Sequence, residues 1–201
     1  ESPDLPELAR ALDALTDLGS RSPQHFLAAS PYAPPDTAIA RWARSHLQPG
    51  RQTAEIVATL GQALHREMRF DAEATTVDTP AAEAFAARHG VCQDFTHIMI
   101  VALRSLGIPS GYVSGYLRTL PPPGQERLEG ADAMHAWVSA WCGPSAGWVE
   151  YDPTNAVFAG IDHIVVAYGR DYADLAPVRG AMRTAGGQKT SQSVDVVPVV
   201  V

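Results

Sequence analysis

Lysine is nearly missing from this sequence, with Lys189 standing alone against fourteen arginines. The cations together number 15 against 22 acidic residues, a formal charge of −7. A chain this short of positive charge is not built to grip nucleic acid through its phosphates or to settle on anionic lipid. The preference for arginine reads as compositional bias rather than chemistry. No uninterrupted apolar stretch approaches the roughly 18 residues of a membrane-spanning helix. Cysteine is scarce too: Cys92 and Cys142 sit in unlike surroundings and do not make a disulfide framework. A reducing, cytoplasmic setting is the expectation. The chain opens at Glu1 without methionine, a basic n-region or an apolar h-region, which reads as a processed chain or a piece of a longer one. Its histidines, at 25, 46, 65, 89, 97, 135 and 163, show no zinc-type spacing, so neither metal nor cofactor is expected.

What is present is a single domain's length, 201 residues, 46% of them hydrophobic, enough for a sizeable core. Residues 1–50 form a proline-punctuated helical extension. Leu8, Leu12, Leu15 and Leu18 lie on one face of a helix ending at Gly19, and Ile39, Trp42, Ala43 and Leu47 line a second that begins after Asp36, its N-cap. A third presents Ile56, Leu60, Leu64 and Met68. Residues 80–88 and 92–106 read as two more helices, the latter with Phe95, Met99, Ala102, Leu103 and Leu106 inward and closed by Gly107 and Pro109. From there the pattern turns to strands: 112–117, 136–141, 147–151 and 163–168, rich in Val, Ile, Trp and Tyr. Helices first and a sheet afterwards predict an α+β domain with an antiparallel sheet. The proline run Pro121, Pro122 and Pro123 marks an exposed loop over 119–130 that rims a cleft. The tail over 181–201 ends in DVVPVVV, an expected edge strand with Pro198 at its border.

One set of residues reads as chemistry. Cys92 opens a helix directly after Gly90 and Val91, where unpaired N–H groups and the helix dipole favour a thiolate. His135 begins the strand HAWVSAW, 43 residues later, and Asp152 closes the next strand, GWVEYDPTN, 17 residues on. Neighbouring antiparallel strands place that imidazole beside that carboxylate. A nucleophile, its base and the group that orients the base follow.

The segments GVCQDFTHIMIVALRSLGIPSGYVSGY (90–116), HAWVSAW, GWVEYDPTN and GRDYADLAPVRG (169–180) together resemble the bacterial transglutaminase-like cysteine peptidase family, over roughly residues 50–180. The resemblance implies a papain-like α+β fold, a catalytic core over 51–180, and a Cys-His-Asp triad on Cys92, His135 and Asp152. Members often carry an N-terminal domain ahead of this core, and the resemblance implies that such a domain is absent here. The activity implied is acyl transfer on a peptide or protein substrate by a cysteine peptidase or amidase. A protein-glutamine transglutaminase and a non-catalytic binding module are the alternatives, and oligomeric state is left open.

Around this set the assignments are looser. The Cys92 backbone N–H is the natural first oxyanion donor. For the second, Gln93 and Gln62 are candidates, because Phe70 has no polar atom to offer. Asp94 suits the first turn of the helix as a dipole partner. His97 lies about 500° of helical rotation beyond Cys92 and is expected to pack rather than react. Trp137, Tyr112 and Tyr172 are candidates for lining a substrate cleft, with Trp141, Trp148 and Tyr116 in similar positions. Cys142 reads as an ordinary thiol. His163 is expected to have a local surface role, and Arg170, Asp171 and Asp174 to form an ion-paired turn with Tyr172 and Arg179.

Overall fold

A computed structural model of the chain describes residues 1–118, 134–176, 186–187 and 193–199. Five helices precede the main sheet. Helix α1 (Leu5–Asp13) starts where the Asp4 carboxylate accepts the Glu7 N–H and the Glu7 carboxylate in turn accepts the Asp4 N–H, a reciprocal cap. It ends six residues before Gly19, so Leu18 is exposed rather than part of the apolar stripe. The Asp17 carboxylate takes the Gly19 N–H and turns the chain locally. Helix α2 (Thr37–Ser45) is capped by Asp36, as its sequence predicts, and buries Ile39, Trp42 and Ala43. Leu47 falls beyond its end. Helices α3 (Thr53–Glu67) and α4 (Ala81–Ala87) flank two short strands, β1 (Arg69–Phe70) and β2 (His89–Gly90), which pair in parallel. Two-residue strands carry no periodic signal, and the sequence does not announce them.

Helix α5 (Cys92–Ser105) is buried on nearly every side, with Gln93 through Leu103 all inaccessible. It lies against a five-stranded antiparallel sheet in the order β6-β5-β4-β3-β7: β3 (Ser110–Leu117), β4 (Met134–Trp141), β5 (Trp148–Asp152), β6 (Val157–Phe158) and β7 (His163–Gly169). The sheet buries Tyr112, Ala136, Val138, Ala140 and Tyr151 into the core that α5, α3 and α2 share. The predicted α+β architecture with an antiparallel sheet is the observed one. A short helix, α6 (Tyr172–Leu175), follows β7.

Some predicted segments fall partly or wholly outside the described residues. Of the tail strand expected over 195–201, the described residues 193–199 show an isolated bridge residue at Val194 and exposed Val197 and Val199. The loop 119–130 and residues 177–180, Arg179 included, lie outside the described residues.

Candidate active site

Three elements converge at one end of the sheet. The chain enters α5 from β2 through Val91, whose backbone is extended. The Asp94 carboxylate bends back to accept the Val91 N–H at 2.8 Å and the Thr75 hydroxyl at 2.6 Å. Asp94 therefore closes the helix start back onto Val91. A Cβ at Gly90 would lie 2.6 Å from that carboxylate, so only glycine lets the turn close. The N–H groups of Asp94 and Phe95 are taken by the Val91 carbonyl. Those of Cys92 and Gln93 have no acceptor inside the helix and surround the partly exposed Cys92 thiol with positive potential.

Register brings the base and the carboxylate together. Val138 pairs with Tyr151 across β4 and β5. One step further Asp152 is level with Trp137, and His135 lies two residues on along the same face, the diagonal relation within reach of long side chains. The His135 Nε2 is 2.7 Å from the Asp152 Oδ2, with side chains 11% and 0% exposed. With Nε2 so engaged, Nδ1 is the ring nitrogen left for a thiol, and Cys92 is among the neighbours that favour charge on His135.

Asp152 is held from five directions. Its Oδ1 accepts the backbone N–H groups of Thr154 and Asn155, at 2.9 and 3.1 Å. Its Oδ2 meets the His135 ring, the Asn155 amide at 2.7 Å and the His163 Nε2 at 3.2 Å. Burial would favour its neutral form, but the hydrogen bonds from His135 and His163 outweigh that and hold the carboxyl far below its usual range. Burial likewise opposes charge on His135. Its hydrogen bond to Asp152 and the nearby Cys92 prevail and raise its pKa to about 9.

The other candidates separate clearly. The Gln93 side chain donates to the Val77 carbonyl at 2.9 Å and is thereby committed to the loop before α4. Gln62 is exposed on α3 and takes part in none of the hydrogen bonds of the cluster. Trp137 is fully buried and gives its indole N–H to Glu150 at 2.7 Å, backing the two imidazoles with its rings 6.1 Å from His135 and 5.1 Å from His163. Tyr112 is buried between His97 and Tyr172, and burial together with the nearby Cys92 pushes its hydroxyl up. Tyr172 donates its backbone N–H to the His97 Nε2. His97 packs as expected: Tyr32 stacks on it at 5.4 Å, and burial lowers its pKa to about 4. Cys142 is buried beside its own strand, its thiol pushed up to about 12 by desolvation. The GRDY segment is a brace, in which Asp171 caps α6 and takes the Tyr32 N–H at 2.7 Å while Arg170 pairs with Asp174 through two nitrogens.

Two residues of the cluster escape sequence reasoning. His163 is no surface residue: its side chain is 7% exposed and directed at Asp152. Nothing local marks it, since it opens an edge strand 11 residues after its partner. Asn155 does carry a signal, because Asp-x-x-Asn in a turn invites the side chain and backbone N–H groups back onto the Asp. His135, Asp152 and His163 also bring three ligand-type atoms within 4.8 Å of one another. Hydrogen bonding argues against a resident ion there. A metal-bound histidine carries its proton on the other ring nitrogen and donates it, whereas the Nδ1 of His163 accepts the Gly160 N–H at 3.3 Å.

A helix-borne cysteine facing a histidine and an aspartate on an antiparallel sheet defines a transglutaminase-like protein. Residues 40–153 match the model of the transglutaminase-like superfamily, and the chain belongs to that superfamily. It is 41% identical over 165 residues to Rv2569c of Mycobacterium tuberculosis, covering 80% of this chain and 52% of the relative. It is 37% identical over 162 residues to ML0607 of Mycobacterium leprae, covering 79% and 48%. The chain thus spans about half the length of the curated relatives it matches. Among solved structures it resembles a "Putative Cysteine Protease from Cytophaga hutchinsonii", with a TM-score of 0.65 and 27% identity over 84% of this chain and 54% of that one. Among the described residues no helix is long and apolar enough to cross a membrane.

Proposed function

We propose that this domain is a cysteine peptidase or amidase that cleaves peptide or isopeptide bonds through a thioester. The observation that carries the reading is His135, joined on one ring nitrogen to a buried Asp152 and close enough to Cys92 for the two to interact electrostatically. In this scheme the Cys92 sulfur attacks the amide carbonyl carbon while its proton resides on the His135 Nδ1. The tetrahedral oxyanion is met by the Cys92 backbone N–H at the start of α5. Collapse breaks the C–N bond, and His135 returns the proton to the departing amine. Water, deprotonated by His135, then attacks the thioester and releases the acid and the thiol. Asp152 keeps His135 in the tautomer and orientation both steps require.

The test is product analysis by mass spectrometry after incubation with a glutamine-containing peptide library and a primary amine, beside a Cys92→Ala control. Shortened peptides absent from the control establish the hydrolase. Amine adducts with loss of ammonia would replace it with transglutamination, and no Cys92-dependent product would favour a binding module. Support for an enzyme over a binding module is the completeness of the set: recognition alone needs no thiol against a charged histidine.

A further inference from the structure

The acyl-transfer scheme leaves one imidazole of the cluster unused. His163 opens β7 and pairs with Leu117 of β3. Its ring is fixed on three sides: the Gly160 N–H points at Nδ1, Trp137 meets the ring edge-on at 80°, and Nε2 faces the Asp152 Oδ2. The backbone closes the same turn, because the His163 N–H reaches the Gly160 carbonyl at 2.9 Å. A nitrogen that accepts a backbone N–H carries no hydrogen, so the His163 nitrogen that donates toward Asp152 is Nε2. Its ring centre is 6.3 Å from that of His135, so the two imidazoles meet only through the carboxylate.

The carboxylate oxygen they share is crowded. Besides His163, the Asp152 Oδ2 takes His135 and Asn155, both at 2.7 Å. Donors on one oxygen compete for its charge: each draws density that the others lose. Among the described residues, the groups facing His135 are Cys92 from α5, Asp152 from β5 and His163 from β7, with Glu150 behind Trp137. Beside His163 the Arg118 and Asp162 pair borders a cleft of about 280 Å³ that Asn155 also lines.

We propose that His163 is a positioning residue for the Cys92, His135 and Asp152 site: as an Nε2–H donor it pins the Asp152 carboxylate and limits that carboxylate's grip on the His135 imidazolium. This rests on the acyl-transfer reading above. Too firm a grip holds the proton on His135 when the departing amine needs it. His163 thereby trades some charge stabilisation for proton mobility.

The experiment follows the His135 Cε1–H resonance with pH by NMR, without substrate, in the full chain and in three variants. His163→Phe fills the ring's space without a donor. His163→Asn keeps a polar group near the Gly160 contact but does not reach Asp152. His163→Gln places an N–H near the position of Nε2. The expected result is a His135 midpoint about half a pH unit higher in the Phe and Asn variants, with kcat lowered and KM unchanged, and a return toward wild type in the Gln variant. Circular dichroism checks folding, and the Asn variant carries the test if Phe is not accommodated. An unmoved midpoint in a folded Phe or Asn variant, or a Gln variant that behaves like them, overturns the proposal. Because the titration needs no turnover, a midpoint that responds to His163 in a protein lacking any Cys92-dependent product would overturn the acyl-transfer reading alone.

Discussion

The His135 Nε2 and the Asp152 Oδ2 lie 2.7 Å apart, from strands whose register sets the two residues on one diagonal. With that nitrogen occupied, only Nδ1 can serve Cys92, so removing either partner acts differently. His135→Ala is expected to abolish turnover. Asp152→Asn keeps the shape but offers an amide where a carboxylate was, and should lower kcat/KM by about 10²- to 10⁴-fold. Steady-state kinetics on whichever peptide the library identifies, beside circular dichroism of both variants, checks this. Near-wild-type turnover in either would remove these residues from the mechanism.

The same pair makes the fold pH-sensitive at both ends. His135 is raised to about 9 from an ordinary value of 6.5, so its contribution is fully present below the unfolded value and is lost as pH climbs through 9. Asp152 is depressed, so its contribution is present above the unfolded value of 3.8 and disappears as pH falls into the acid range. Urea unfolding at pH 2.5, 5, 7 and 10 should therefore find the maximum near pH 5, between the two unfolded values. In His135→Gln the alkaline decline between pH 7 and 10 should flatten; an unchanged decline would mean that other groups govern it.

How much of this is legible in the sequence depends on how local the cause is. Asp4, Asp36 and the leucine and isoleucine periodicities announce their helices because capping and amphipathicity act within one turn. Cys92, His135 and Asp152 can be aligned because each sits at the end of a recognisable element. His163 cannot be placed, since its role arises from β7 pairing with β3 rather than from its neighbours in sequence. Trp137 reads as a candidate cleft residue from its aromatic character, while its complete burial follows from Glu150 across the β4–β5 pair. Strand pairs of two residues, such as β1 with β2, are dictated by the helices they connect and leave no pattern of their own.

Ala156 lies just past the turn that holds Asp152 and has φ of 57°, a left-handed conformation that costs a residue with a Cβ about 1–2 kcal/mol. Glycine there removes the strain but returns entropy to the unfolded chain. The strain outweighs that entropy, so Ala156→Gly should stabilise the protein by roughly 0.5–1 kcal/mol, read from the urea midpoint at constant m value. A loss of stability would show that the surrounding hydrogen bonds, not the φ angle, set the energy of this turn.

Arg104 near the end of α5 ties three distant segments together. Its guanidinium donates to the carbonyls of Ala28, Ser110 and Arg170 and to the Ser30 hydroxyl, at 2.6 to 3.0 Å. Burial lowers its pKa to about 10, which still leaves it charged at neutrality. Arg104→Leu strands those acceptors, and charge-assisted hydrogen bonds of this kind predict a loss of about 3 kcal/mol. Arg104→Lys should recover only part of it, since one ammonium cannot span the fork. Equal stability of the Lys variant and wild type in thermal unfolding would contradict this.

Gly61 tests how tightly α3 is seated on the sheet. A Cβ at this position would lie 2.1 Å from the Cε1 of Tyr151, a residue that is itself 1% exposed. Alanine in a helix interior is worth about 1 kcal/mol over glycine, and on an exposed face Gly61→Ala would be stabilising. Here the ring has no free space to retreat into, and overpacking of this kind costs about 1–3 kcal/mol. The clash is expected to win by about 1 kcal/mol or more. Because Tyr151 precedes Asp152, the displacement should also reach the site. Gly61→Ala should therefore lower both the unfolding midpoint and the rate of Cys92-dependent turnover. A stabilised, fully active variant would mean that α3 can slide on β5 at little cost.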